Sequence, residues 1–488
     1  MNRLICLYSF LAALSLTGCT KFLDKNPDNR TELNSVEKVS QLLATAYPNA
    51  GYMAFAEAAS DNAGDKGTGD RNLMATGPYR FDDVVENNRD FTEYYWINAY
   101  AAIAAANQAL KACAEATNPE AYTSQRGEGL VARAYAHFML VTFFSKVYDP
   151  ATAGSDAGIP YVTEPETEVF SNYERRTVQY VYEMIEKDLL EGLPLLDDTR
   201  YTIPKYHFTK ASANAFAARF FLFKQDYQAA ANHASRVFPD NNFANNMRPW
   251  LTAYKNYTAD EQFLNYTKAT DPANLLLTEA ASVWARNFAQ SRYGLTQQLN
   301  AKILGANVTG NNSWAYRQYN YGQDHPAILK WKEYFYRTSV NANIGFPYVM
   351  VPLFTTEEAL LNRAECFARL GKTDSCLADL NTFASQRFNS YNSRTHAVTV
   401  DKATAFYAGT DATQALINTT LDFKRAEFVQ EGMRWFDVIR NKINIVHVYI
   451  DPDDPTVRTT IEVPHGDPRR VFQIPESAKQ SGIELNPR

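Results

Sequence analysis

The side chains best placed to do chemistry in this 488-residue chain are rings alternating with amides. The run NNSWAYRQYNYGQDH sets Trp314, Tyr316, Tyr319 and Tyr321 among Asn311, Asn312, Arg317, Gln318, Asn320 and Gln323, with Trp284 and Tyr293 before it and Trp331 after it. Rings stack on the apolar face of a sugar while amides serve its hydroxyls. The same residues suit a peptide, and they suit a loop that packs on its own body. A second polar group lies in SDNAGDKGTGDRNLMATGPYRFDDVVENNRD, where Asp70, Arg71 and Arg80 could point at a polar ligand. Its glycines do not match a phosphate-binding loop. Asp61, Asp65 and Asp70 do not follow EF-hand spacing, so a structural calcium has no motif behind it and no cofactor is expected.

Catalytic constellations are missing from the sequence. There is no His-Glu-x-x-His, no Gly-x-Ser-x-Gly and no Walker loop, and the seven histidines are scattered. A glycosidase carboxylate pair is defined by spatial separation, so the acidic residues alone do not identify an enzyme. The expectation is a non-catalytic binding protein, with a glycan-active enzyme as the remaining alternative. A net charge of −6 without a polybasic block argues against nucleic acid.

The chain opens with an address. Met1 to Arg3 are followed by the apolar run LICLYSFLAALSL, which has signal-peptide length and falls short of the ~20 residues of a membrane span. Leu16-Thr17-Gly18-Cys19 then resembles a lipobox, making residues 1–18 a lipoprotein signal and Cys19 the lipidated residue. Residues 19–34 read as a flexible tether. Of five cysteines, Cys113, Cys366 and Cys376 remain for the body. Cys366 and Cys376 could pair across a hairpin, but buried small apolar side chains are the preferred reading.

Helical periodicity dominates the rest. Val36, Val39, Leu43 and Ala46 share one face, and Trp96, Tyr100, Ile103, Asn107 and Leu110 another, with Trp96 expected in the core. Two segments, Lys210 to Asp240 and Glu357 to Phe388, each carry helix, short break and helix within about one tetratricopeptide length of ~34 residues. Residues 91–148 and 178–224 are looser versions. The expected class is all-α: a tetratricopeptide-like helical-hairpin scaffold over 35–488, with loop-rich insertions at about 60–90 and 241–352 carrying the ligand site. Near the C-terminus, RAEFVQEGMRWFDVIR predicts one helix from Arg425 to Arg440, with Ala426, Val429, Met433 and Phe436 as its apolar stripe. Glu431 with Arg434, and Asp437 with Arg440, are spaced to pair along it. Gly432 inside it implies a backbone or ring passing close by.

Taken in order, these parts resemble the SusD/RagB family of outer-membrane lipoproteins from Bacteroidetes. The resemblance rests on Gly18-Cys19, YAAIAAANQAL, RAYAHFMLVTFFSKVYDP with GIPYV, KASANAFAARFFLF, EEALLNRAECFARLG with LADLN, EGMRWFDVIR and VFQIPESAKQSGIELNPR. Lys424-Arg425-Ala426-Glu427 stands where members often show a doubled arginine. The resemblance implies a helical scaffold under a variable, loop-rich half. It implies a lipid-anchored, cell-surface oligosaccharide binder that caps a SusC-like TonB-dependent outer-membrane transporter, or, on the RagB branch, a binder of peptides or another nutrient. It favours Trp314 and its neighbours by region only.

Overall fold

The computed structural model describes residues 32–166, 171–310, 312–340 and 342–488. The signal peptide, Cys19 and nearly all of the tether lie outside the described residues. Among the described residues, eight α-helices build the first half: α1 Val36–Leu43, α2 Met53–Ala59, α3 Leu73–Arg80, α4 Thr92–Glu115, α5 Thr123–Phe144, α6 Val178–Gly192, α7 Lys210–Phe223 and α8 Tyr227–Val237. Three short ones, α9 Ala259–Tyr266, α10 Trp284–Asn287 and α11 Gln297–Ile303, lie in the second insertion. Five more close the body: α12 Thr356–Arg369, α13 Thr373–Arg387, α14 Val400–Phe406, α15 Ala412–Glu427 and α16 Arg434–Arg440.

Helix pairs stack at three of the expected hairpins, α4 on α5, α7 on α8 and α12 on α13, with α12 joining α8 to α15. Over 178–224 the expected close pair does not form, because α6 packs back on α5, where its Asp188 receives the buried Arg133 guanidinium at 2.7 and 2.8 Å. The first tight hairpin is set by local chemistry. Thr209 and Ser212 form a reciprocal capping box at the start of α7. Asp226 caps α8 by accepting from the Ala229 amide. Ala217, Ala218, Ala364 and Ala368 are all buried, allowing close helix approach. Val39, Leu43, Ala46 and Trp96 join one continuous core with the alanines and rings of the other helices. Cys113, Cys366 and Cys376 are buried and unpaired.

Two features differ from the sequence reading. The second insertion holds strands as well as loops: β2 Asn274–Ala281, β7 Gly345–Thr355 and β6 Glu333–Arg337 form an antiparallel sheet in the order β2-β7-β6, and β4 Gln318–Asn320 pairs with β5 Pro326–Ile328. A strand of each insertion, β1 Gly64–Asp65 and β3 Tyr293–Gly294, pairs across them, and β8 Ile445–Ile450 with β9 Arg458–Val463 forms a C-terminal hairpin.

The second difference is that Arg425 to Arg440 is not one helix. α15 ends at Glu427 and α16 begins at Arg434, and between them Gln430 and Gly432 take left-handed backbone angles (φ +68° and +73°). Asp437 and Arg440 do pair along the helix at 2.8 Å, whereas Glu431 and Arg434 turn to other elements. The reason is the close approach that Gly432 implied. A Cβ there would sit 3.0 Å from the Cα of Met53 and 3.1 Å from the Cβ of Ala56, so α2 runs directly against the turn. Glu57 of α2 accepts from the amides of Gln430 (2.8 Å) and Gly432 (2.9 Å), capping backbone that a continuous helix would have satisfied internally.

Gly371 provides an internal control, since it has φ +69° with open space around it. Gly371→Ala is expected to cost about 1 kcal/mol from backbone strain alone. Gly432→Ala adds the clash with α2 and is expected to cost about 2–3 kcal/mol. Equal losses in urea unfolding would disprove the packing argument.

Candidate functional site

The start of the first insertion is held by partly buried polar contacts. Asp61 receives the guanidinium of Arg434 at 2.7 and 3.0 Å, and Arg425 bonds the Asn62 side chain at 2.7 Å. Burial opposes ionisation of Asp61, but Arg434 and Arg425 outweigh it and hold the carboxyl well below its usual range. Farther along, Asp65 accepts from Arg292 (2.6 and 3.0 Å) and from the Ile450 amide (2.8 Å). This joins the loop to β3 and β8 at once.

Beyond Asp65 the loop closes onto the β4–β5 hairpin. Lys66, almost wholly buried, donates to the Ala289 carbonyl at 3.1 Å and lies 3.2 Å from His325 Nδ1. Burial lowers its ammonium from 10.5 to about 8, against an opposing pull from Asp324. Gly69, at φ +102°, brings its backbone so near that a Cβ would lie 2.4 Å from the Gln290 carbonyl oxygen. Asp70 exchanges backbone bonds with its neighbours, its amide donating to Gln290 and its carbonyl accepting from Arg292. The result is a fixed loop whose Asp70 and Arg71 side chains reach water.

The hairpin it meets turns through Tyr321 to Asp324, closed by the Tyr321 amide on the His325 carbonyl at 2.9 Å. Tyr321 is about half exposed, at 47%. Gln318, Asn320 and Gln323 are exposed around it, and Tyr319 is half-buried beneath Arg317, whose guanidinium lies 5.0 Å from the ring centroid. His325, 3.5 Å from Thr68 Oγ1, marks the seam between loop and hairpin. Asp70, Arg71, Tyr319 and Tyr321 therefore belong to two segments packed at one seam. Arg80 is exposed but otherwise engaged, paired with Asp82 at 3.0 Å and lying over the Tyr449 ring.

Trp314, Tyr316 and Trp284 do not form a platform. Trp314 is 6% exposed, bridges Phe388 in β fashion, and packs on the rings of Tyr316, Phe388 and Phe423 at 5.4, 4.3 and 5.7 Å. Tyr316 donates to Glu427 at 2.6 Å from full burial. Trp284 donates from Nε1 to the Gln430 carbonyl at 3.1 Å and is 1% exposed. Trp331 and Tyr293 are buried too. Their amide-rich neighbourhood in sequence follows the water-facing side of the loop, while these rings fill the space between insertion and scaffold. Lys66, His325, Arg292 and Asp65, which fix the loop, carried no sequence signal: their partners lie hundreds of residues away.

Trp314→Ala should cost about 3–5 kcal/mol in chemical unfolding, with no selective effect on ligand affinity in the protein that remains folded. Lys66 makes a pH prediction. Its folded pKa lies below its unfolded one, so between pH 8 and 10.5 the unfolded chain binds more protons and stability rises with pH. Against Lys66→Met, the wild type should gain about 2 kcal/mol from pH 8 to pH 10. A difference that stays flat would mean an ordinary lysine.

Comparison with known proteins places this architecture. Residues 21–222 match a SusD-like family model described as starch-binding and associating with the outer membrane, and residues 309–460 match the SusD family model. No curated protein matches the chain. Among solved structures, a SusD superfamily protein from Bacteroides vulgatus ATCC 8482 superposes with a TM-score of 0.66 at 20% identity, over 93% of this chain and 98% of that one. A SusD superfamily protein from Bacteroides thetaiotaomicron VPI-5482 gives 0.65 at 17%, over 93% and 100%. A SusD-like carbohydrate binding protein from Bacteroides fragilis NCTC 9343 gives 0.63 at 15%, over 92% and 98%. With the two family models matched in order along the sequence and this fold beneath them, the chain belongs to the SusD/RagB family.

Proposed function

We propose that this protein is a non-catalytic, lipid-anchored cell-surface receptor that captures oligosaccharide and delivers it to a SusC-like TonB-dependent transporter of the outer membrane. The observation that carries the reading is the seam at Thr68 and His325. There a braced Asp/Arg loop and a Tyr/amide hairpin, from insertions far apart in sequence, lie side by side with Asp70, Arg71, Tyr321 and Gln323 open to water. Such a surface offers a ring for the apolar face of a sugar, with a guanidinium, a carboxylate and amides for its hydroxyls. Two further points support it: the matching family is described as starch-binding and associating with the outer membrane, and a protein of similar structure is a SusD-like carbohydrate binding protein. Anchoring is assigned to Cys19 on the lipobox-like run Leu16-Thr17-Gly18-Cys19.

Native affinity electrophoresis against a panel of plant and host polysaccharides, starch included, tests the reading. At least one gel should retard the wild type, and Tyr321→Ala and Arg71→Ala should each weaken that binding about tenfold, the equivalent of ~1.4 kcal/mol. No retardation on any polysaccharide, together with oligopeptides carried through purification, would move the assignment to a peptide binder. Cys19→Ala should release the protein from the outer-membrane fraction.

A further inference from the structure

A second aromatic surface lies on the β2-β7-β6 sheet. Tyr334 sits opposite Tyr348, and Tyr336 opposite Phe346, in the β6–β7 register. Residues two apart in a strand share a side, so these four rings line one side of the ribbon as two rungs about 7 Å apart. On the other side Pro347 and Val349 are buried and Glu333 is tied to Arg286 of α10, while Phe335, opposite Pro347, stays half exposed. On the ring side Tyr336 is 64% and Phe346 48% exposed, while Tyr334 and Tyr348 stack on each other with centroids 5.4 Å apart.

Beside this strip stands a cation, one of whose donors has no acceptor among the described residues. Arg89, near the end of the first insertion, places its guanidinium 5.0 Å from the centroid of the Phe346 ring. Its Nε is shut off from water with no acceptor among the described residues. Nε cannot meet a ligand, but the side chain as a whole is only half-buried, so the terminal N–H groups of the guanidinium are the donors free to take an acceptor from outside. Exposed rings in a continuous strip likewise mark a surface that is covered in use.

We propose that this strip is a glycan-binding site distinct from the Tyr321 seam, and that it takes an internal stretch of an extended chain. The inference rests on the reading of the protein as a carbohydrate receptor. Tyr336 and Phe346 take the apolar face of one sugar, Arg89 donates paired N–H groups to its adjacent hydroxyls, and the hydroxyls of Tyr334 and Tyr348 serve the next sugar along. With two rungs the strip is longer than one sugar ring. Its flat, open form along the ribbon offers no enclosing pocket to select a chain end, so binding grows with chain length.

The test uses purified protein and whichever polysaccharide retards the wild type, with calorimetry on its mono- to hexasaccharide series. Affinity should rise at least tenfold from monosaccharide to trisaccharide. Tyr336→Ala, Phe346→Ala and Arg89→Gln should each lose about tenfold on the longer chains, while unfolding as the wild type does because Tyr336 and Phe346 are surface rings. Wild-type affinity in all three variants, with Tyr321→Ala still defective, would overturn the strip and leave the receptor reading standing. If no glycan binds the wild type, both fall together. A wild-type dimer in sedimentation that Tyr336→Ala and Phe346→Ala convert to monomer would make the strip a subunit interface and overturn the site.

Discussion

Arg387 is fully buried at the end of α13, and the mounting of the second insertion on the helical body depends on it. Its guanidinium donates to Glu427 of α15 at 2.5 and 3.1 Å, to Glu357 of α12 at 2.7 Å, and to the carbonyl of Arg248 at 3.0 Å. Tyr316 adds its hydroxyl to Glu427. One cation thus links three helices and two points of the insertion. Two carboxylates compete for it. Burial pushes Glu357 upward beyond what Arg387 offsets, whereas at Glu427 the arginine, helped by Tyr316, outweighs burial and keeps the carboxyl low. Such a cluster is weak as a source of net stability, yet removing one member strands a buried charge at a cost of about 3–5 kcal/mol. Its effect is to specify one arrangement of parts.

The turn between α15 and α16 extends the same arrangement. Glu431 receives Lys330 at 2.6 Å and Tyr266 at 2.7 Å, both from the second insertion, while Lys330 also bonds the carbonyls of Glu427 and Val429. Arg434 and Arg425 reach back to Asp61 and Asn62 in the first. A short C-terminal stretch therefore clamps both insertions, and its break is what turns these side chains outward from a common axis. Burial lifts the carboxyl of Glu57 to about 7 even though two amides and Asn62 favour its charged form, a sign of how dry this junction is.

A receptor built this way separates its duties. The interior of the insertions is spent on braces, among them Asp65 with Arg292 and Lys66 with Ala289. What remains at the surface is a small set of rings and polar groups whose backbones cannot drift. Pre-organised sites lose less conformational entropy on binding, which suits capture of a flexible chain.

The sequence alone determined the helical class, the hairpins at Lys210 to Asp240 and Glu357 to Phe388, and the near approach at Gly432. These are local: period, caps and glycine act within a few residues of one another. It also carried the family resemblance, through motifs whose order needs no folding to be read. Only the tertiary structure decided which rings face water. Trp314 and Tyr321 lie seven positions apart in one polar run, yet one meets Phe388 and Phe423 and the other the solvent, because packing partners come from distant helices. The strip of Tyr334, Tyr336, Phe346 and Tyr348 was not legible in the sequence, because EYFYR and GFPYVM carry apolar residues at successive positions and so do not tell one side of a strand from the other; the pairing of β6 with β7 decided it. Arg425 to Arg440 read as one helix for the same reason: its apolar spacing is helical, and the force that breaks it comes from α2, more than 370 residues earlier in the chain.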